Sequence, residues 1–203
     1  MPHLALFPTP VSMYEIPDTA ELNREITERL TAESLTVPSD HRSNVGSWHS
    51  PTNLHTRTEP CFQRILREIL LRVKETSEAL AKEADRTLPN LNYRAHAWAM
   101  VMRNGDYTLP HDHSEVHWAT AYYPDAGDAN ENEFPDSGLI GFVDPRHGGR
   151  PIPGLDLVGK TFYGKPQNGR LFVFPGWLLH YVNAYRGTRP RIVISCNVVF
   201  SLA

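Results

Sequence analysis

Three histidines and one arginine in the second half of the chain could form a metal site that also binds an anion. His111 and His113 flank a single residue. Because alternate side chains of a strand share a face, both imidazoles can reach one point while Asp112 faces away. A third imidazole, from His180 at an aromatic strand end, would complete three ligands and leave coordination positions open, as catalytic metals require. Arg191, a few residues further on, could place a cation beside that metal.

The His-x-His pair is weak evidence when taken alone. The chain has 10 His among 203 residues, and random placement yields roughly 0.5 such pairs. A surface or capping role for both residues is the alternative. Their context favours a metal site, because the pair follows Gly105-Asp106-Tyr107 and is followed in order by His180 and Arg191.

Arg191 begins a predicted strand on which alternate residues share its face: Val193, Ser195 and Asn197. An arginine that faces the inside of a barrel is costly unless its charge is paired. A bound carboxylate would pair it through two hydrogen bonds. The alternative partner is an Asp or Glu of the protein at the barrel rim.

Arg191, Asn197 and Tyr122 are the predicted cofactor-binding residues. For Tyr122 and the other candidate aromatic residues of the pocket, plain core packing is the alternative. Those others are Tyr107, Trp118 and Tyr123.

The first half of the chain is predicted to support the site with helices. Residues 4–16 are apolar and rich in proline, which favours an extended segment. Asp18, with Glu21 three residues later, predicts the start of an amphipathic helix over residues 18–33. Residues 37–58 are polar and irregular. Pro60 begins a second, stronger helix that runs to about Glu83.

From Leu91 onward the pattern is typical of β-structure. Short runs of aromatic and β-branched residues alternate with Gly, Pro, Asn and Asp, which favours an all-β sandwich or barrel. Helices followed by about eight strands predict a mainly β fold, a jelly roll packed against the two helices of the first half. The prediction is a single domain over residues 1–203, with support in 1–90 and the β core in 91–203. The predicted strands cover residues 91–103, 107–113, 116–123, 138–144, 161–163, 170–175, 179–184 and 189–200.

Two long irregular segments, residues 124–137 and 145–160, are predicted mouth loops or lids. The first carries five carboxylates and no Lys or Arg. One interpretation is a solvated surface loop. The other is a lid whose negative charge favours a cationic or amine-bearing substrate.

Composition excludes several classes of protein. The formal charge of −3 and the lack of a basic run argue against a nucleic-acid or anionic-membrane partner. Cys61 and Cys196 are far apart and form no CxxC motif, which fits a reducing compartment. The apolar patch Leu4–Phe7 has no basic region before it and is too short to span a membrane, so neither a signal peptide nor a membrane helix is predicted. We therefore expect a cytoplasmic protein.

Several segments also occur in the order of a known family's motifs. They are Trp98–Tyr107, His111-x-His113 with Trp118–Tyr123, Gly138–Arg146, Gly169–Val182 and Arg191–Asn197, with Gly46–Ser50 as a further match. Because these motifs occur in the same order, the chain resembles a bacterial family of small 2-oxoglutarate- and Fe(II)-dependent oxygenases of the prolyl-hydroxylase-like kind. The resemblance extends over most of the chain, and the set is far more specific than any one motif.

The resemblance implies a double-stranded β-helix of the cupin-like kind that binds Fe(II) and 2-oxoglutarate. Matching positions make His111 and His180 metal ligands, and make Arg191 the partner of the distal carboxylate of 2-oxoglutarate. The chain departs from the usual triad of two His and one carboxylate, because the position of the acid holds His113. Strand parity favours His113 as the third ligand, although a twist at the strand end could bring Asp112 in instead.

The predicted function is that of a non-heme dioxygenase. It would use dioxygen and 2-oxoglutarate to oxidise a C–H bond of a small metabolite, with release of succinate and CO₂. Two other classes remain open: a three-His cupin-type metalloenzyme that uses no 2-oxoglutarate, and a non-catalytic barrel that binds a metal or metabolite. Arg191 and the order of the motifs argue against the first of these two classes.

Overall fold

In the computed structural model the described residues are 7–146, 153–154 and 159–203. Two α-helices and three short strands precede the β core. In chain order these elements are β1 (Ser12–Glu15), α1 (Ala20–Glu33), β2 (Asn44–Val45), β3 (Trp48–His49), a 3₁₀ helix (Leu54–Thr56) and α2 (Pro60–Glu83). The β core contains β4 (Leu91–Met102), β5 (Tyr107–His111), β6 (Trp118–Asp125), β7 (Ile140–Val143), β8 (Thr161–Gly164), β9 (Arg170–Pro175), β10 (His180–Val182) and β11 (Arg191–Leu202).

The strands form two antiparallel sheets. The larger has the order β1-β9-β6-β11-β4-β3, and the smaller has the order β2-β5-β10-β7-β8. Successive strands of the core repeatedly change sheet, as in a jelly roll. This arrangement confirms the predicted mainly β fold with two helices, and the double-stranded β-helix that the resemblance implied.

Each face of the larger sheet has its own apolar core, and strand parity assigns residues to them. On β4, Ala97, Ala99 and Val101 pack in one cluster with the buried faces of α1 and α2. Trp98 and Met100 pack in a second cluster, between the sheets, with the phenylalanines of β7 and β9. Because alternate residues of one strand face opposite ways, the helices cover one side of this sheet and leave the other side to form the interior.

The two predicted helices are present. The longer helix spans Pro60–Glu83, as its apolar periodicity predicted. The shorter helix begins at Ala20, two residues later than predicted, and Thr19 occupies its N-cap position. Asp18 lies before the cap with a φ of 53°, so the predicted capping role of Asp18 is wrong. The Thr19 hydroxyl instead donates to the carbonyl of Ile16 and accepts from Asn23 Nδ2, both at 3.2 Å.

Residues 37–58, predicted to be irregular, contribute two short strands. β3 pairs with β4 through Trp48 and His49 and so extends the larger sheet. β2 pairs with β5 at the edge of the smaller sheet. Two-residue strands have no detectable periodicity, so only tertiary pairing reveals them.

The acidic segment 124–137 is tied to its surroundings. Asp128 accepts hydrogen bonds from the Thr188 amide, the Arg189 amide and the Tyr185 hydroxyl, at 2.8, 2.9 and 3.1 Å. Glu131 forms an ion pair with Lys165 at 2.6 Å, and Asp125 lies 3.3 Å from Arg189. These contacts favour the surface-loop interpretation over an anionic lid.

Two of the predicted features lie outside the described residues. Most of the predicted loop 145–160 lies there, as does nearly all of the patch Leu4–Phe7. Within the part of the chain that the structure describes, no helix combines the length and apolar character needed to cross a membrane.

Candidate metal centre and anion pocket

A cavity of about 600 Å³ lies between the two sheets and contains all four residues predicted to form the metal and anion site. Its volume falls within the range of small-molecule sites in proteins. Its walls include His111, His113, His180 and Arg191. The cavity-facing residues of β11 alternate as predicted, since Val193, Ser195 and Asn197 join Arg191 in the lining.

Neighbouring strands bring the three imidazoles together. His180 on β10 pairs directly with His111 on β5, and the ring centroids of these two residues are 4.3 Å apart. The His113 ring lies 5.1 Å from that of His111 and 5.3 Å from that of His180. One ligand atom from each ring lies within 4.8 Å of the other two. This is close to the span of two nitrogens that each lie about 2.1 Å from one ion.

Backbone carbonyls orient two of the imidazoles. His111 Nδ1 donates to the carbonyl of Leu109 at 2.7 Å, and His180 Nδ1 donates to the carbonyl of Leu178 at 2.8 Å. A carbonyl only accepts, so the proton must lie on Nδ1 and the lone pair on Nε2. Metal-binding histidines are commonly held in this way. The Ser43 hydroxyl lies 3.3 Å from His111 Nε2, so Ser43 lies beside the lone pair that His111 could offer to a metal.

The electrostatics of the cluster keep the imidazoles neutral. Burial and then the proximity of His111 lower the pKa of His180 to about 3. The same two causes lower the pKa of His113 to about 4. Burial also lowers the pKa of His111. Because a metal binds the neutral form of imidazole, protons do not compete with a metal here near neutral pH.

This cluster predicts that the metal-free protein loses stability in weak acid. The unfolded chain takes up protons at these histidines near pH 6.5, whereas the folded chain resists protonation until the pKa values of about 3 to 4. Stability therefore falls as pH drops from 6.5 towards 4. We expect Tm to fall by roughly 5 °C or more over this interval. Thermal unfolding at a series of pH values measures this dependence of Tm on pH. The dependence should be weaker in His180→Gln, which removes one of the buried imidazoles. If Tm falls as steeply with pH in His180→Gln as in the wild type, protonation of the histidine cluster is not the cause.

Asp112 does not belong to the cluster. Its side chain is exposed, and its Oδ1 accepts from the amide of Ser114 at 3.0 Å. The amide of His113 donates to the carbonyl of Gly176 at 2.7 Å, so the pairing of this segment continues past the end of β5. The pairing therefore keeps His113 in the cluster, whereas Asp112 lines the same cavity with an exposed carboxylate that lies outside the three-histidine cluster.

Arg191 is buried without a charged partner. Its side chain is 1% exposed. Nη1 lies 3.0 Å from the sulfur of Met102, a weak acceptor, and the guanidinium lies 5.0 Å from the centre of the Tyr123 ring. Nε and Nη2 are buried and have no hydrogen-bond partner among the described residues. No carboxylate of the described chain forms an ion pair with Arg191, so the alternative of an Asp or Glu partner at the rim is not observed.

These unpaired donors fit a carboxylate ligand. An uncompensated cation in a protein interior is strongly unfavourable. A carboxylate would accept from two guanidinium nitrogens at once. Neutral imidazoles and a buried arginine in one cavity therefore suit a metal ion together with an anionic ligand that reaches from the metal to Arg191.

The prediction for Tyr122 needs correction. Its hydroxyl donates to Asn23 Oδ1 on α1 at 2.6 Å, and its ring belongs to the core beneath the helices. Tyr122 has the parity of Trp118, whose indole nitrogen donates to Ser77 on α2 at 3.0 Å. The neighbouring Tyr123 has the opposite parity and lines the cavity beside Arg191. Only the register of β6 decides which of two consecutive tyrosines faces the site.

Two further histidines, which the sequence patterns did not single out, also line the cavity. His49 on β3 is 4% exposed and stacks on Trp98, with ring centroids 5.7 Å apart and an interplanar angle of 14°. His96 faces the cavity from β4. His96 and Trp98 are alternate residues of β4 and so share a face of the strand. This pattern could have identified His96 as a residue of the cavity. His49 had only its position in the Gly46–Ser50 segment as a signal.

The fold and the site together define a class, that of small jelly-roll proteins with a three-histidine cluster and a buried arginine in one cavity between their sheets. A family model described as "Putative 2OG-Fe(II) oxygenase" matches residues 96–197, a span that contains all three histidines and Arg191. The chain belongs to this family of 2-oxoglutarate- and Fe(II)-dependent oxygenases. Its cofactors are accordingly Fe(II) and 2-oxoglutarate, as predicted.

Solved structures share the fold at low sequence identity. A prolyl-4-hydroxylase from Pseudomonas putida has a TM-score of 0.58 and 15% identity, with 98% of this chain and 95% of that chain covered. HygX from Streptomyces hygroscopicus, solved with nickel and 2-oxoglutarate, has a TM-score of 0.63 and 10% identity, with coverage of 94% and 82%. The alpha-ketoglutarate-dependent epimerase SnoN from nogalamycin biosynthesis has a TM-score of 0.64 and 13% identity, with coverage of 94% and 77%. A comparison with curated proteins finds no match.

Proposed function

We propose that this protein is a dioxygenase that oxidises a C–H bond of a small metabolite, with a metal centre formed by His111, His113 and His180. The observation that carries the proposal is the buried Arg191, whose Nε and Nη2 have no partner among the described residues. The three imidazoles share the cavity with it. Bound Fe(II) and 2-oxoglutarate would supply the oxidation, with dioxygen as the oxidant and succinate and CO₂ as products.

The residues of the chain divide the work in the following way. The Nε2 lone pairs of His111 and His180 hold the metal, because their Nδ1 atoms are occupied by backbone carbonyls. Arg191 holds the distal carboxylate of 2-oxoglutarate through its unpaired nitrogens, and the Tyr123 ring lies beside its guanidinium. The apolar walls formed by Ile140 and Phe174 exclude water from the reaction.

The set of three imidazoles carries one negative charge less than the usual triad of two His and one carboxylate. The metal centre is therefore more positive, which favours an anionic chelator such as 2-oxoglutarate. It also shifts the redox behaviour of the iron, because neighbouring charge tunes a metal site.

Turnover of 2-oxoglutarate in the absence of a primary substrate tests the proposal. With Fe(II) and ascorbate we expect slow formation of succinate, and His180→Ala should abolish it. Consumption of dioxygen without 2-oxoglutarate would indicate a three-His enzyme of another class. A protein that binds metal but forms no succinate and consumes no dioxygen would be a binding protein. A metabolite screen that follows 2-oxoglutarate turnover would then identify the primary substrate.

Two further proposals concern the context of this activity. We propose that residues 1–203 act as one oxygenase domain, since both helices pack on the sheet that carries Arg191. We also propose a cytoplasmic location. Cys61 and Cys196 are both free and buried, as in a reducing compartment.

A further inference from the structure

The chain segment 183–190 connects β10 to β11 and leads directly to Arg191, the first residue of β11. It is described throughout and belongs to neither sheet. Two side chains hold its second half in place: Tyr185, within the segment, and Asp128, in the acidic segment 124–137. Together with the pairing of β11 and β4, they therefore contribute to the position of the Arg191 backbone.

The Asp128 carboxylate joins the acidic segment to the backbone just before Arg191. Its Oδ1 accepts from the amides of Thr188 and Arg189 at 2.8 and 2.9 Å, and its Oδ2 accepts from the Thr188 hydroxyl at 2.5 Å. These hydrogen bonds, that of the Thr188 hydroxyl first, lower the pKa of Asp128 well below its usual range. The ionised carboxylate therefore fixes the chain two residues before Arg191.

Tyr185 closes the same contact from the inside of the molecule, where it is 1% exposed. Its hydroxyl accepts from the Asp128 amide at 2.9 Å, and its one hydrogen is within reach of the Arg189 carbonyl at 2.8 Å and of Asp128 Oδ1 at 3.1 Å. A Cβ at Gly127 or at Gly187 would overlap this hydroxyl, so glycine is required at both positions for this close approach. Tyr185 and Asp128 together are called the tyrosine clamp below.

The tyrosine clamp also reaches the charged group of Arg191. A Cβ at Gly138 would lie 3.4 Å from Tyr185 Cδ2 and 3.5 Å from Arg191 Nη1. The Tyr185 ring and the guanidinium therefore pack against the same backbone position. The clamp thus contacts both ends of Arg191, the backbone through Arg189 and the guanidinium through Tyr185 and Gly138.

We propose that Tyr185 and Asp128 are positioning residues for Arg191, and that they set the affinity of the site for the distal carboxylate of 2-oxoglutarate. The inference rests on the proposed function, in which Arg191 binds that carboxylate. A two-pronged contact requires the guanidinium plane to be held in one orientation. Arg191 has no charged partner among the described residues, so its orientation depends on the groups packed around it. Neither clamp residue lines the cavity, so both act through Arg191.

Two ligands separate this role from a general loss of stability: 2-oxoglutarate and oxalate. Both chelate a metal, but oxalate has no distal carboxylate for Arg191 to bind. Calorimetric titration of protein loaded with Fe(II), with dioxygen excluded, measures both dissociation constants. We expect Tyr185→Phe and Asp128→Ala each to weaken 2-oxoglutarate binding by roughly 2- to 30-fold, the range for residues that act without touching the ligand. Oxalate binding should stay unchanged in both variants.

The conservative variant Asp128→Asn keeps an oxygen that can accept from the Thr188 and Arg189 amides. It should therefore restore most of the affinity for 2-oxoglutarate that Asp128→Ala loses. Tyr185→Phe keeps the ring that packs against Gly138, and so guards against misfolding of the alanine variant.

Glu133→Ala is the matched control, because it removes an exposed carboxylate of the same acidic segment outside the clamp. Both affinities should be unchanged in this variant. An equal loss for 2-oxoglutarate and oxalate in the clamp variants would overturn the inference, since the whole metal site would then be disturbed. Wild-type affinity for 2-oxoglutarate in Tyr185→Phe and Asp128→Ala would also overturn it.

Arg191→Met distinguishes failure of the clamp from failure of the proposed function. If Arg191→Met loses affinity for 2-oxoglutarate and the clamp variants do not, only the positioning role is refuted. If Arg191→Met keeps wild-type affinity, the proposed role of Arg191 is wrong, and the role of the clamp is refuted with it.

Discussion

Replacement of Arg191 with methionine should weaken 2-oxoglutarate binding by roughly 30-fold to several thousand-fold. Removal of one partner of a desolvated charge pair costs about 2–5 kcal/mol of binding free energy, and this range converts to the stated loss of affinity. The guanidinium is buried, and its Nε and Nη2 have no protein partner among the described residues, so a bound carboxylate would be its principal charge partner. Methionine fills a similar volume without charge and should preserve the fold. Titration of the metal-to-ligand charge-transfer band, with Fe(II) present and dioxygen excluded, measures the dissociation constant.

Arg189→Ala is the matched control for this experiment. Arg189 lies two residues earlier, is 58% exposed at its side chain, and forms ion pairs with Asp125 at 3.3 Å and Asp128 at 3.8 Å, away from the cavity lining. Surface ion pairs contribute little, so 2-oxoglutarate affinity should be nearly unchanged. Arg191→Lys should give an intermediate loss, because lysine keeps the charge but not the two-pronged geometry. Equal effects at positions 189 and 191 would contradict the role of Arg191.

Alanine at His111, His113 or His180 should abolish tight iron binding while the fold survives. Loss of groups that merely orient metal ligands costs about 10- to 100-fold in affinity, so loss of a ligand should exceed that range. Iron content after anaerobic loading, together with calorimetric titration, measures the effect. Circular dichroism verifies that each variant is folded.

Asp112→Ala separates the two candidate third ligands. The exposed carboxylate of Asp112 binds the Ser114 amide and lies outside the imidazole cluster, so this variant should keep its iron. His113→Asp should also keep iron, because it restores the usual triad of two His and one carboxylate. The assignment is refuted by the reverse pattern, in which His113→Ala retains full iron content and Asp112→Ala loses it.

Local patterns in the sequence were sufficient to predict the long helix and the strands of the β core. Helix α2 begins at Pro60 and ends at Glu83 as its apolar periodicity predicted. All eight predicted strands of the β core are present, with ends that differ by a few residues. These features depend on the backbone preferences and hydrophobic periodicity of contiguous residues. The short strand β3 has no such pattern, and its pairing with β4 depends on residues about fifty positions away.

The amino-acid sequence by itself determined the candidate metal and anion residues, because alternation within a strand relates His111 to His113 and Arg191 to Asn197. Only the tertiary structure decided what lies around them. The register of β6 directs Tyr123 into the cavity and Tyr122 towards α1. The pairing of β3 adds His49 to the wall. The physical reason is that neighbouring residues fix which side chains of one strand share a face. Which strands pair, and in which register, depends instead on packing and hydrogen bonds between residues that are distant in the sequence.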